Sequence, residues 1–151
     1  MSVIGSNILA GASGCAGGGE ALYVDDVFST WTYDGTGSAQ TITNEIDLDG
    51  EGGLVWFKQR TTTYSHALID TERGGTKWLR SNSNEAEATD SAAITSFNSN
   101  GFTLGTSDQV NNNTQDHVSW AFRKAPGFFD VVTFSETTDQ IPHSLGSTPG
   151  M

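Results

Sequence analysis

Three observations in the sequence predict an all-β protein with antiparallel pairing. Glycine fills 18 of 151 positions, hydrophobic residues make up 35% and charged residues 17%, and good helix formers seldom run together, which disfavours a helical bundle. Short β-branched and aromatic runs recur about every ten residues between turn-forming Gly, Asn and Ser, the cadence of a sandwich or barrel. One run, HVSWAFR at 117–123, alternates with period two as a half-buried antiparallel strand does.

Residues 1–20 are a Gly/Ala/Ser tract whose sizeable apolar side chains are Val3, Ile4, Ile8 and Leu9. Glycine raises the entropy cost of ordering, so this extended arm lacks a core of its own and orders, if at all, against something else. A β-sandwich domain is expected over 21–136, and 137–151 reads as a linker or the start of a further, truncated domain. Leu22-Tyr23-Val24, Val27-Phe28 and Thr30-Trp31-Thr32-Tyr33 are short β-prone pieces. The run at 54–58 (LVWFK), bounded by Gly52-Gly53 and Gln59-Arg60, suits a strand buried on both faces. Runs at 66–70 and 76–80 flank the turn Arg73-Gly74-Gly75. Those at 94–97 and 102–104 flank Asn98-Ser99-Asn100-Gly101, where Asn100-Gly101 signals a hairpin because both residues tolerate positive φ. In 117–123 the alternation puts Val118, Trp120 and Phe122 on one face, read here as the core face, and FFDVVTF at 128–134 reads as the last strand. The segment 85–94 is the one helix candidate; it has alanines but no apolar stripe to dock it. The expected core includes Val55, Phe57, Leu68, Trp120, Phe122 and Val132.

Charge narrows the partners. The net charge is −11, and residues 1–57 carry eight acids and no base. Neutralising phosphates needs a clustered basic surface, so a nucleic-acid partner is not expected, nor is an anionic membrane. No apolar stretch approaches the ~20 residues of a membrane span. The single cysteine, Cys15, has no intrachain partner for a disulfide, and its Ala12-Ser13-Gly14 flank resembles a lipidation site without the basic and continuous apolar regions of an export signal.

Chemistry-bearing motifs are sparse. His66, His117 and His143 have no second ligand at metal-binding spacing, and the nucleophile elbow, the phosphate loops and the zinc-protease motif are not found. No catalytic residue, metal or cofactor is therefore assigned, and an enzyme is not expected. Asp47, Asp49 and Glu51 alternate in a Gly-rich loop that could wrap calcium, but they lack a third ligand in register, and a solvated turn is the simpler reading. Lys77, Arg80 and Arg73 read as the exposed face of one hairpin. Exposed indoles stack on sugar faces; Trp56 and Trp120 sit inside strands, which leaves Trp31 and Trp78 as the candidate glycan contacts.

GLVWFK at 53–58, Ser65-His66-Ala67-Leu68 through Arg73-Gly74, the hairpin NSNEAEATDSAAITSFNSNGFTLG, HVSWAFRKA and FFDVVTF occur in an order that resembles a domain of tailed-bacteriophage structural proteins, especially those of marine and cyanobacterial hosts. The resemblance covers 53–134, and MSVIGSNILAGASG is similar to the start of such proteins. It implies a jelly-roll sandwich of the laminin-G or concanavalin type in a tail fibre or other virion appendage, with no catalytic assignment to carry over. The end, 141–151, departs from the pattern where relatives lead into another strand, which implies a fragment of a longer fibre or a natural truncation. The expected function is that of a virion structural protein, located in the phage tail and attached through Val3, Ile4, Ile8 and Leu9 to tail or adaptor and nozzle-type components. A homotrimer is expected, because fibres are symmetric and a coreless arm gains most by docking on neighbouring copies. The alternative is a carbohydrate-binding module for host surface glycans.

Overall fold

The structure, a computed structural model, describes residues 22–135, 141–146 and 148. The chain is mostly β, in antiparallel sheets with two short helical turns: α1 (Val24–Val27), β1 (Phe28–Asp34), β2 (Gln40–Thr43), β3 (Gly53–Gln59), β4 (Ala67–Asp70), β5 (Lys77–Trp78), β6 (Ala88–Thr89), β7 (Ile94–Asn98), β8 (Gly101–Leu104), α2 (Asp108–Asn111) and β9 (Asp116–Arg123). One sheet runs β1-β9-β3-β4, a second β2-β8-β7, and β5 and β6 form a small ribbon.

The two larger sheets share one core. Val55 and Phe57 of β3, Ala67 and Ile69 of β4 and Ala121 of β9 pack with Ile42, Ile94, Phe102 and Leu104 of the second sheet. Phe57 meets Phe102 edge-on, with ring centroids 5.4 Å apart. β9 gives this core only small or polar side chains, Ser119 and Ala121 beside the buried His117, because the two phenyl rings already occupy the space between the sheets. The segment after β2 adds Ile46 and Leu48, both buried, held by backbone bonds from Leu48 to Asn98 and from Asn44 to Asn100. A methyl group at Gly101 (φ 148°) would lie 2.0 Å from the Ile42 carbonyl, so only glycine lets β8 lie this close to β2.

Buried Asn111 ties the ends of this layer together. Its Nδ2 donates to the carbonyls of Ser38 (2.6 Å) and Gly105 (2.7 Å), and its Oδ1 accepts from Thr36 N (2.9 Å) and Gln40 Nε2 (2.8 Å). Every hydrogen-bonding site of the amide is thereby used, as burial demands.

Several expectations need correcting. β3 is buried on one face only: Gly53, Val55, Phe57 and Gln59 point inward, while Leu54, Trp56 and Lys58 are half-buried. β9 faces the opposite way from the expected assignment, with His117, Ser119 and Ala121 inward; on its other face Val118 is buried, but Trp120 and Phe122 are only half-buried. Leu68 and Val132 are likewise only partly buried. The segment 128–134 is no strand: Phe129 closes a tight turn on Ala125, Asp130 is held by Lys124 and Ser144, and the segment joins neither of the larger sheets. The region 85–94 is no helix, with Ala88–Thr89 paired to β5 and a turn at 91–93 leading into β7, because it has no apolar stripe to hold a helix against the core. The β7–β8 hairpin forms, but Asn98 pairs with Gly101, so its loop is Ser99-Asn100, and positive φ occurs only at Gly101. The expected arm, with Val3, Ile4, Ile8, Leu9 and Cys15, lies outside the described residues.

Candidate functional surface

Outside the core, the four-stranded sheet presents a second face. The register aligns Thr30 of β1 with Trp120 of β9, Trp120 with Trp56 of β3 and Trp56 with Leu68 of β4, and Leu68 bridges to Leu79. This row crosses five chain segments. Thr30 and Leu79 at its ends are exposed, and the three residues between them are partly buried. The two indoles lie 5.7 Å apart at 63°. Trp56 Nε1 donates to His66 Nδ1 at 2.8 Å, so the other ring nitrogen of His66, Nε2, carries the proton of the neutral imidazole. Burial, with the Lys58 charge nearby, holds His66 below the ordinary imidazole value, consistent with that neutral form. Lys58 spends its ammonium on the carbonyls of Thr62 (3.3 Å) and Tyr64 (2.9 Å). A parallel row, Phe28, Phe122 and Leu54, is capped by Phe129, which packs on Phe122 at 5.4 Å.

The other notable feature is a polar clasp. Lys124 Nζ lies 2.7 Å from Glu72 and 3.3 Å from Asp130, and Asp130 Oδ2 accepts from both the amide (2.7 Å) and the hydroxyl (2.9 Å) of Ser144. Burial acts to raise the Asp130 pKa, but the Ser144 bonds and Lys124 together pull it down to about 2. The clasp borders a shallow depression of about 350 Å³ reaching His143 and Thr133. Ser144, His143 and Asp130 form no nucleophilic relay, since Ser144 bonds the carboxylate directly and His143 Nδ1 accepts from the Leu145 amide.

Of the two candidate glycan contacts, Trp31 is 42% exposed on the edge strand β1, whereas Trp78 is buried at 7% and the Arg80 guanidinium covers its ring at 4.2 Å. Trp78 therefore belongs to the core. Asp47 accepts from the Gly50 amide (2.8 Å), so its carboxylate closes the acidic loop on its own backbone. Among the described residues, no group of three or more His, Cys, Asp or Glu is arranged to hold a metal ion. Arg73 is bound to Asp70 and lies near Glu87, and Arg80 pairs with Glu85 at 2.8 Å, so the basic cluster neutralises neighbouring acids. His117 is fully buried and stacked on Tyr33 at 5.2 Å and 10°.

Sequence reasoning missed Trp56, Trp120 and His66 as surface residues. Lys58 was the available signal: lysine is almost never buried, and it shares its face of β3 with Trp56. No curated protein and no solved structure matched the chain. A family model described as a domain of unknown function (DUF7483) matches residues 24–151, and the chain belongs to that family.

Proposed function

We propose that this chain is a structural module of a tailed-phage virion, part of a tail fibre or tail appendage, with a jelly-roll domain of the laminin-G or concanavalin type and an arm, 1–20, that attaches it to other virion proteins. The observation that carries this reading is the meeting of the motifs behind the phage resemblance. GLVWFK and HVSWAFRKA supply adjacent central strands, β3 and β9, paired at seven positions, and Phe57 of the first packs on Phe102 of the hairpin motif. A net charge of −11 keeps copies soluble before assembly. A homotrimer, with each arm docked on a neighbouring copy, fits this role.

Mass spectrometry of density-purified particles, with antibody labelling in the electron microscope, tests the reading. The protein is expected at a fixed copy number on the tail, and deletion of residues 2–19 should leave a folded β domain that the particles lack. Particles devoid of the full-length protein would overturn the proposal.

A second reading, a glycan-binding module, is favoured by Trp31, a large exposed ring on an edge strand. Screening the chain on a glycan array, with Trp31→Ala as comparison, tests it.

A further inference from the structure

We propose that the outer row of the four-stranded sheet, Thr30, Trp120, Trp56, Leu68 and Leu79 with His66 beside it, binds a neutral oligosaccharide laid across the strands. The inference rests on the second, glycan-binding reading and moves its site from Trp31 at the sheet edge to the outer face. The row is continuous through four pairings, which at the spacing of hydrogen-bonded strands spans ~19 Å. Such a strip is long and shallow, and the depression beside Lys124 lies elsewhere, so the row suits an extended chain better than a compact ligand.

The surface chemistry points to sugar. Two partly exposed indoles, edge to face at 5.7 Å, line the middle of the row, and the bond from Trp56 to His66 both orients one ring and satisfies its N–H. The row therefore asks its ligand for C–H faces, which a pyranose has, and offers polar groups beside them: the exposed Thr30 hydroxyl at one end and the His66 Nε2–H near the middle. Fixed rings lose little freedom on binding, which favours affinity.

Charge selects the class. The row carries no formal charge, Lys58 on the same face of β3 is committed to two backbone carbonyls, Arg80 beside Leu79 is paired with Glu85, and the whole chain stands at −11. A sulfated or sialylated chain would meet repulsion without a compensating base. A neutral one meets none.

The test uses the full chain on an array of neutral hexose oligomers printed beside sulfated and sialylated ones, followed by tryptophan-fluorescence titration with cellohexaose and maltohexaose. Binding to neutral oligomers is expected. Thr30→Glu, at an exposed position, and Trp120→Phe, with a thermal melt to show it folds, should each weaken it about tenfold or more, while Thr43→Glu, the same charge on the other sheet, leaves it within about twofold. Binding that Trp31→Ala abolishes and the row variants spare would overturn the inference and leave the glycan reading standing. Preference for the anionic glycans would also overturn it. Silence across the array would overturn both, with the virion reading judged separately on its particles. Sedimentation showing a dimer that Thr30→Glu dissociates would assign the face to a second copy and overturn the inference as well.

Discussion

Asn111→Ala removes the polar knot of the fold. The side chain is fully buried and makes four hydrogen bonds of 2.6 to 2.9 Å, two donated and two accepted. At a net ~1 kcal/mol for each bond the gross loss is about 4 kcal/mol. Thr36 and Ser38 are exposed and regain water, which returns part of it, whereas the Gly105 carbonyl is in a buried residue and does not. The expected cost is therefore about 3–4 kcal/mol, a large share of the stability of a domain this size. Urea titration followed by tryptophan fluorescence measures it through the midpoint at constant slope. Asn111→Asp supplies a sharper version, because a carboxylate oxygen in place of Nδ2 would face two carbonyls. It should cost at least as much at neutral pH and regain some stability in acid, where the protonated group can donate again. A loss under about 1 kcal/mol for the alanine variant would refute the reasoning and show that the loop at 36–38 is held by other contacts.

The core and surface assignments give an ordering: Phe57→Ala should cost about 3–5 kcal/mol and Trp120→Ala clearly less, and the reverse order in the same titration would contradict the described faces. Burial lowers the pKa of both His117 and His66; for His117 it outweighs the Asn112 carbonyl and the Asp116 charge. The unfolded chain then binds more protons below the ordinary value of 6.5, so stability should be intact above it and fall as pH drops below it. A urea midpoint unchanged between about pH 7 and about pH 5 would contradict this. Asp130→Asn should raise hydrogen exchange at the Ser144 amide while β3 and β9 stay protected, because it weakens the acceptor that holds Ser144 and removes the charge facing Lys124. Unchanged exchange there would show that the clasp is not what holds this segment.

Several strand positions were legible because turn residues separate short β-branched and aromatic runs, as at 54–58, 94–97 and 102–104. Facing was not, and β9 shows why. Its large residues Val118, Trp120 and Phe122 share one parity, and Arg123 shares the other with His117, Ser119 and Ala121, so size and charge both pointed to the wrong inner face. The inner side is small because Phe57 and Phe102 fill the volume, a fact that depends on which strands oppose each other and not on any one strand. Local reading failed at 128–134 for a related reason. FFDVVTF has strand propensity, but its one bridge is the local Phe129 to Ala125, and a strand needs a partner strand. The outer row was invisible for the same cause, since it exists only through the register of β1, β9, β3 and β4 with Leu79.

Hydroxyl-radical footprinting of the isolated chain, read at single-residue resolution, tests that facing most directly. Trp31 should oxidise fastest and Trp120 and Trp56 more slowly, with Trp78 and Phe57 protected until the chain unfolds. Oxidation of Trp78 at a rate like that of Trp31, with Trp120 protected, would contradict it.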